Sequence, residues 1–236
     1  MTLQEIIDES RRIVFFGGAG VSTESGIPDF RSEDGLYRLQ YRYPPEQIVS
    51  RSFFDANTEE FYRFYRSRMV FPDVKPNKAH MKLAELERAG RLSCVVTQNI
   101  DGLHQAAGSE RVVELHGSVH RNYCMSCGRF YPLSAVTEAD GIPRCECGGI
   151  IKPDVVLYEE SLDDGDIERA VSEIAAADTL IIGGTSLAVY PAAGLVQYFT
   201  GAHLVVINKS PVSADKNAEL VINASIGEVL GAIACP

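Results

Sequence analysis

The chain of 236 residues is 45% hydrophobic and 23% charged and carries a net charge of -10. That length supports one sizeable core, or one core with a small insert. The acidic balance argues against direct duplex DNA binding, which rests on phosphate neutralisation. No apolar run reaches the roughly 20 residues of a membrane helix. The first residues also lack the basic start, apolar stretch and cleavage site of an export signal, so a cytoplasmic protein is expected.

A polar helix is predicted over Thr2–Arg11, then a buried strand over Ile13–Phe16 that runs into glycines. From Gly26 to Arg51 no clean period appears, and the stretch is rich in charge, proline and tyrosine; connections this long are usually functional or mobile. Helices over Glu59–Met69 and Ala79–Ala89 precede strands over Cys94–Thr97 and Val112–Leu115. About Arg121–Gly149 four cysteines interrupt the rhythm. Strand Val155–Leu157, helix Ile167–Ala176, strand Leu180–Ile182, helix Ala192–Phe199 behind Pro191, and strand Leu204–Ile207 complete the pattern. Strands alternating with helices predict an α/β fold: a Rossmann-like open parallel sheet with helices on both faces, plus a small inserted module.

Of the six cysteines, Cys94 lies in an apolar run and Cys235 at the tail. Cys124-x-x-Cys127 and Cys145-x-Cys147 form two close pairs with seventeen residues between them. In a chain without an export signal, such clustering favours a tetrahedral, structural zinc site over disulfides; an iron–sulfur cluster or a redox dithiol uses the same residue types.

Several strand ends carry polar or glycine-rich sequences. Gly17-Gly18-Ala19-Gly20-Val21-Ser22-Thr23 suits a pyrophosphate, because glycine lets backbone amides approach closely; a tight turn without a ligand has the same sequence. The acidic residue that a dehydrogenase places about 20 residues later is missing, since Tyr37 and Arg38 stand there. Gly183-Gly184-Thr185-Ser186 and Asn208 end two further strands, at the edge where open α/β sheets bind ligands. Gln98-Asn99-Ile100-Asp101 and His116-Gly117 follow two more. A histidine at such an edge suits a general base, although a lone histidine is more often structural, so the reading of His116 depends on its neighbours.

At these residues the sequence resembles the sirtuin family. The matching stretches are GAGVSTESGIPDFRS, TQNIDGLH, ELHGS, the four cysteines, IKPDVVLYEE, GGTSLAVYPAA and VVIN, in order along nearly the whole chain. The resemblance implies an NAD-dependent protein-lysine deacetylase that yields nicotinamide, O-acetyl-ADP-ribose and free lysine. An ADP-ribosyltransferase is the alternative. It implies NAD and zinc as cofactors and acetylated lysine in proteins or peptides as partner; the acidic charge and the short apolar runs argue against direct nucleic-acid and membrane partners, and the oligomeric state, a monomer included, stays open.

The implied domains are an NAD-binding domain over 1–120 and 150–236, with a mobile cofactor loop at about 26–51, and a zinc module over 121–149. By the same resemblance, Ala19, Gly20 and Thr23 would cradle the phosphates, and Phe30 and Arg31 would belong to the mobile loop. Gln98 and Asn99 would hold the ribose next to nicotinamide, Ile100 and Asp101 would line the nicotinamide pocket, and His116 would be the base. Thr185, Ser186 and Asn208 would serve the adenosine half, with Ser225 or Ile226 near the adenine. Val155, Val156, Leu157 and Tyr158 would pair with the substrate backbone, and Cys124, Cys127, Cys145 and Cys147 would bind zinc. Sirtuins that prefer succinyl or malonyl groups carry Tyr-x-x-Arg. Here Tyr62 is followed by Tyr65 at the arginine position, which favours neutral acyl groups.

Overall fold

The computed structural model describes residues 1–29 and 42–235. Helix α1 (Leu3–Glu9) starts at a Thr2–Glu5 capping box and leads into β1 (Ile13–Gly17). Three short helices follow the undescribed stretch: α2 (Pro45–Ile48), α3 (Arg51–Ala56) and α4 (Thr58–Arg68). Then come α5 (Lys78–Arg88), β2 (Leu92–Thr97), α6 (Leu103–Ala106), β3 (Val112–Glu114), β4 (Gly117–Cys124), β5 (Phe130–Tyr131) and α7 (Ser134–Thr137). The rest is β6 (Ile151–Val155), α8 (Asp164–Ala176), β7 (Thr179–Gly183), β8 (His203–Ile207), β9 (Leu220–Ile222) and α9 (Ile226–Gly231).

Six strands form one parallel sheet in the order β3-β2-β1-β7-β8-β9. This is the doubly wound order, which reverses direction beside its first strand and opens a crevice beyond the strand carboxyl ends. Alternate residues of β1 serve opposite faces. Phe15 joins a buried cluster with Ile6, Leu83 and Leu230 from α1, α5 and α9, whereas Phe16 packs with Ile174 of α8 and Leu195. Burial on both faces explains why these strands read as continuous apolar runs.

A second sheet, antiparallel and in the order β5-β4-β6, carries the cysteine pairs. Its strands reach from Gly117 to Val155, beyond the expected 121–149 at either end. The apolar cluster beneath it is completed by Phe54, Phe61, Tyr62 and Tyr65 of α3 and α4. The smaller body is thus built from two separate stretches of chain.

Several expectations are corrected by the structure. Val155–Leu157 is not a strand of the parallel sheet. Val155 ends antiparallel β6, and Val156 and Leu157 run on outside any strand, their amides held by the His116 carbonyl and the Glu160 carboxylate. The segment after Pro191 winds as a 3-10 helix, Ala192–Tyr198. Strand β9, with only three half-buried residues, was not anticipated. No helix among the described residues is long and apolar enough to cross a membrane.

Candidate active site and metal centre

The carboxyl ends of β1, β2, β3, β7 and β8 open into a cavity of about 1180 Å³. Two glycine turns meet there. The Gly20 amide donates to the Gly184 carbonyl at 2.7 Å. A Cβ on Gly20 would lie 2.8 Å from Gly184 Cα, and one on Gly184 (φ +59°) would lie 2.4 Å from the Val21 nitrogen. Only glycine fits this approach. The turns therefore present bare backbone and the hydroxyls of Thr23 and Thr185 to the cavity.

Hydrogen bonds run from strand end to strand end. Gln98 donates its amide to the Gly17 carbonyl at 3.0 Å and its side-chain Nε2 to Thr185 Oγ1 at 3.0 Å. His116 Nδ1 lies 2.9 Å from the Gln98 carbonyl oxygen. A carbonyl can only accept, so Nδ1 carries the hydrogen and neutral His116 keeps its Nε2 lone pair free. Burial lowers the His116 pKa from its usual value, against the opposing pull of the Gln98 carbonyl. Gly117 (φ +75°) follows, packed so closely on Asp154 that no side chain fits. Arg121 then ties Glu114 at 2.6 Å to Asp154 at 2.8 Å, bracing both sides of the histidine.

On the floor of the cavity Ser22 Oγ donates to Asp101 Oδ2 at 2.7 Å and accepts from Asn99 Nδ2 at 3.1 Å. The Leu103 amide donates to Asp101 Oδ1 at 2.9 Å. Beneath lie two buried imidazoles, His80 and His104, with ring centroids 4.7 Å apart. Burial pushes them down to about 4 and about 3, so both are neutral near pH 7.

Of the candidate residues outside the cysteine cluster, all line this one cavity except Ser225, the alternative to Ile226, and Phe30 and Arg31, which lie outside the described residues. Tyr62 and Tyr65 do not line it. Both are fully buried, Tyr62 donating its hydroxyl to the Ile151 carbonyl. Arg66 donates to the carbonyls of Val136 and Gly141, and Arg68 is the arginine of α4 that reaches the cavity. Sequence reasoning missed Ser22, whose signal was a hydroxyl inside the glycine turn. It also missed His80, which lies outside every motif.

The segment Val155–Tyr158 is held on nearly all of its backbone groups. The Val156 amide donates to the His116 carbonyl, the Tyr158 amide to the Val49 carbonyl, and the Tyr158 carbonyl accepts from the Arg51 amide. Lys152 Nζ donates to the Val155 carbonyl, and the Leu157 carbonyl accepts from the Glu160 amide. Among the described residues only the Val156 carbonyl of this stretch accepts nothing, and Val156 lines the cavity.

Away from the cavity, the four sulfur atoms of Cys124, Cys127, Cys145 and Cys147 lie within 4.8 Å of one another. Separations of 3.4 Å for Cys124–Cys147 and 3.6 Å for Cys127–Cys145 are far too long for disulfides. They are near the spacing that four zinc–sulfur bonds of about 2.3 Å impose. Tyr131 donates its hydroxyl to Cys145 Sγ at 3.1 Å and the Ser126 amide donates to Cys124 Sγ, as donors around thiolate ligands do. With all four positions filled by protein, zinc here would be structural.

A doubly wound dinucleotide-type domain with a four-thiolate module defines a narrow class. The Sir2 family profile matches residues 18–191. The NAD-dependent protein deacetylases of Clostridium perfringens and Clostridium acetobutylicum are similar, at 61% and 60% identity. The matches cover 98% and 97% of this chain and 96% and 95% of the relatives. A Sir2 homologue solved in complex with NAD superposes with TM-score 0.87 at 39% identity, over 97% of this chain and 90% of its own. A Sir2 variant solved with deacetylated p53 peptide and 3′-O-acetyl-ADP-ribose gives 0.89 at 38%, over 98% and 96%. The chain belongs to the Sir2 family.

The metal centre is testable directly. Purified protein is expected to contain one zinc per chain by atomic emission, and Cys145→Ser to lose it. Loss of the metal should lower the melting temperature, because binding to a preformed four-thiolate site is folding free energy. Full stability with no bound metal would contradict the assignment.

Proposed function

We propose that this chain removes acetyl groups from protein lysines at the expense of NAD, releasing nicotinamide and O-acetyl-ADP-ribose. The observation that carries the reading is the free Nε2 of His116 in the cavity shared by the glycine turns, Asp101 and Val156. NAD, consumed as co-substrate, supplies an electrophilic ribose carbon once its nicotinamide leaves.

In this reading Ala19, Gly20 and Thr23 hold the phosphates through backbone and hydroxyl. Thr185, Ser186, Asn208 and Ile226 take the adenosine half. Gln98 and Asn99 bind the hydroxyls of the ribose next to nicotinamide, and Asp101 and Ile100 hold the nicotinamide amide. The Val156 carbonyl accepts the N–H of the acylated lysine, with Val155, Leu157 and Tyr158 along the peptide. Both reacting groups are thereby oriented within one cavity. The acyl oxygen takes the ribose carbon as nicotinamide leaves; His116 then draws a proton from a ribose hydroxyl, whose oxygen attacks the activated acyl carbon, and addition of water with cleavage of the C–N bond frees the lysine amine and leaves the acetyl group on the ribose. Zinc stays outside the reaction and holds the smaller body together. The reduced thiols of its site suit the cytoplasm.

Mass spectrometry of an acetyl-lysine peptide with NAD is expected to show loss of the acetyl group and formation of O-acetyl-ADP-ribose. A peptide that gains ADP-ribose would support the transferase alternative. His116→Ala should reduce turnover about 10²- to 10⁴-fold, the usual contribution of a general base, with NAD binding retained. Unchanged turnover would remove His116 from the chemistry.

The pH profile follows from the direction of the His116 shift. A base works in its neutral form, which predominates above its pKa. With that pKa lowered, the acid limb of kcat/KM should have its midpoint below 6.5. A midpoint above that value would contradict a buried neutral base.

A further inference from the structure

Beside the cavity, Glu160 gathers contacts from three parts of the chain. Its Oε2 accepts from the Leu157 amide at 2.8 Å and from Lys152 Nζ at 3.1 Å, and its Oε1 lies 3.2 Å from Arg51 NH1. Lys152 in turn donates to the Val155 carbonyl at 3.0 Å. Lys152 and Glu160 are 16% and 19% exposed, so this pair is screened less than a surface salt bridge. Arg51 opens α3, and its amide donates to the Tyr158 carbonyl at 2.9 Å. One carboxylate thus joins β6, the turn after it and the start of α3.

The consequence lies in which backbone groups are left over. Lys152, held by Glu160, occupies the Val155 carbonyl, and Glu160 itself occupies the Leu157 amide. Among the described residues nothing donates to the Val156 carbonyl between them. Without the carboxylate, the Leu157 amide loses its acceptor and Lys152 loses its counter-ion next to a carbonyl it must still serve. The backbone on either side of Val156 then keeps its bonds to His116, Val49 and Arg51 but loses the two contacts that fix positions 155 and 157. Recognition of an amide N–H depends on an acceptor fixed beforehand, because ordering it on binding costs affinity.

The geometry points to Glu160 as a positioning residue for the acylated lysine: it fixes the 155–158 backbone so that the Val156 carbonyl alone is presented to the substrate amide. The assignment rests on the proposal that this segment receives the acyl-lysine peptide. Glu160 stands in the wall of the cavity, and in this assignment it acts through Leu157, Lys152 and Arg51. Its effect therefore belongs in peptide recognition rather than in NAD binding or the proton transfer at His116.

Steady-state kinetics of the full chain with an acetyl-lysine peptide and NAD separate these roles. Glu160→Ala is expected to raise the peptide KM about tenfold, the scale of losing a hydrogen bond to a charged group. The kcat and the KM for NAD should stay within about threefold. Glu160→Gln keeps an acceptor for the Leu157 amide and loses both ion pairs, so it should fall between Ala and the wild type. If Glu160→Ala does not fold, as judged by zinc content and melting temperature, the Gln variant carries the test, with a peptide KM raised at least threefold. An unchanged peptide KM would overturn the assignment, as would kcat and both KM values worsening together. Failure of the wild-type chain to remove acetyl groups in the presence of NAD would overturn the functional reading, and this assignment with it.

Discussion

The hydrogen bond between His116 Nδ1 and the Gln98 carbonyl, 2.9 Å long, is the contact on which the site depends. It joins the ends of β3 and β2, and it dictates which imidazole nitrogen remains a base. Its acceptor belongs to a residue that is itself fixed, since the Gln98 amide and side chain bond to Gly17 and Thr185 at the ends of β1 and β7. A parallel sheet in register brings these ends together without any loop having to reach. The partners of Gln98 and of His116 Nδ1 are backbone groups and the neutral Thr185 side chain.

The same histidine is where the two bodies of the protein meet. The chain leaves the parallel sheet at Glu114 and enters the antiparallel one at Gly117, so His116 sits on the connection. Its carbonyl accepts the Val156 amide, and Arg121 bridges Glu114 and Asp154 across the junction. Neither sheet alone makes the cavity. The larger supplies the glycine turns, and the smaller supplies the wall at Val155–Tyr158. Aromatic packing of Phe54, Phe61, Tyr62 and Tyr65 gives that wall a core of its own, and the four-cysteine cluster closes the far end.

Much of this was legible in the sequence, for physical reasons. Strands buried on both faces leave apolar runs, and five of the six predicted runs are strands of the parallel sheet. Glycine turns and clustered cysteines carry short-range signals, and both come together in the structure as the spacing implied. Val155–Leu157 misled because an apolar run does not say what its backbone bonds to; here a histidine carbonyl and a carboxylate took the place of a neighbouring strand. Strand β9 escaped notice because a half-buried edge strand of three residues has no continuous apolar run. The joining of α3 and α4 to the zinc module was invisible, since about 50 residues separate α4 from β4 and no local pattern records such contacts. Ser22 likewise acts through Asn99 and Asp101, more than 70 residues away in sequence. Tyr62 and Tyr65, which the resemblance sets at the Tyr-x-x-Arg positions, are core residues once packed.

The central claim is that one cavity unites the labile ribose bond, the acylated lysine and a neutral imidazole. A crystal structure of the chain with NAD and an acetyl-lysine peptide tests it most directly. The account predicts the ribose hydroxyls next to nicotinamide within hydrogen-bonding reach of His116 Nε2, about 2.6–3.2 Å, and the lysine amide on the Val156 carbonyl. A dinucleotide bound elsewhere, or an imidazole turned so that Nε2 meets the Gln98 carbonyl, would contradict it.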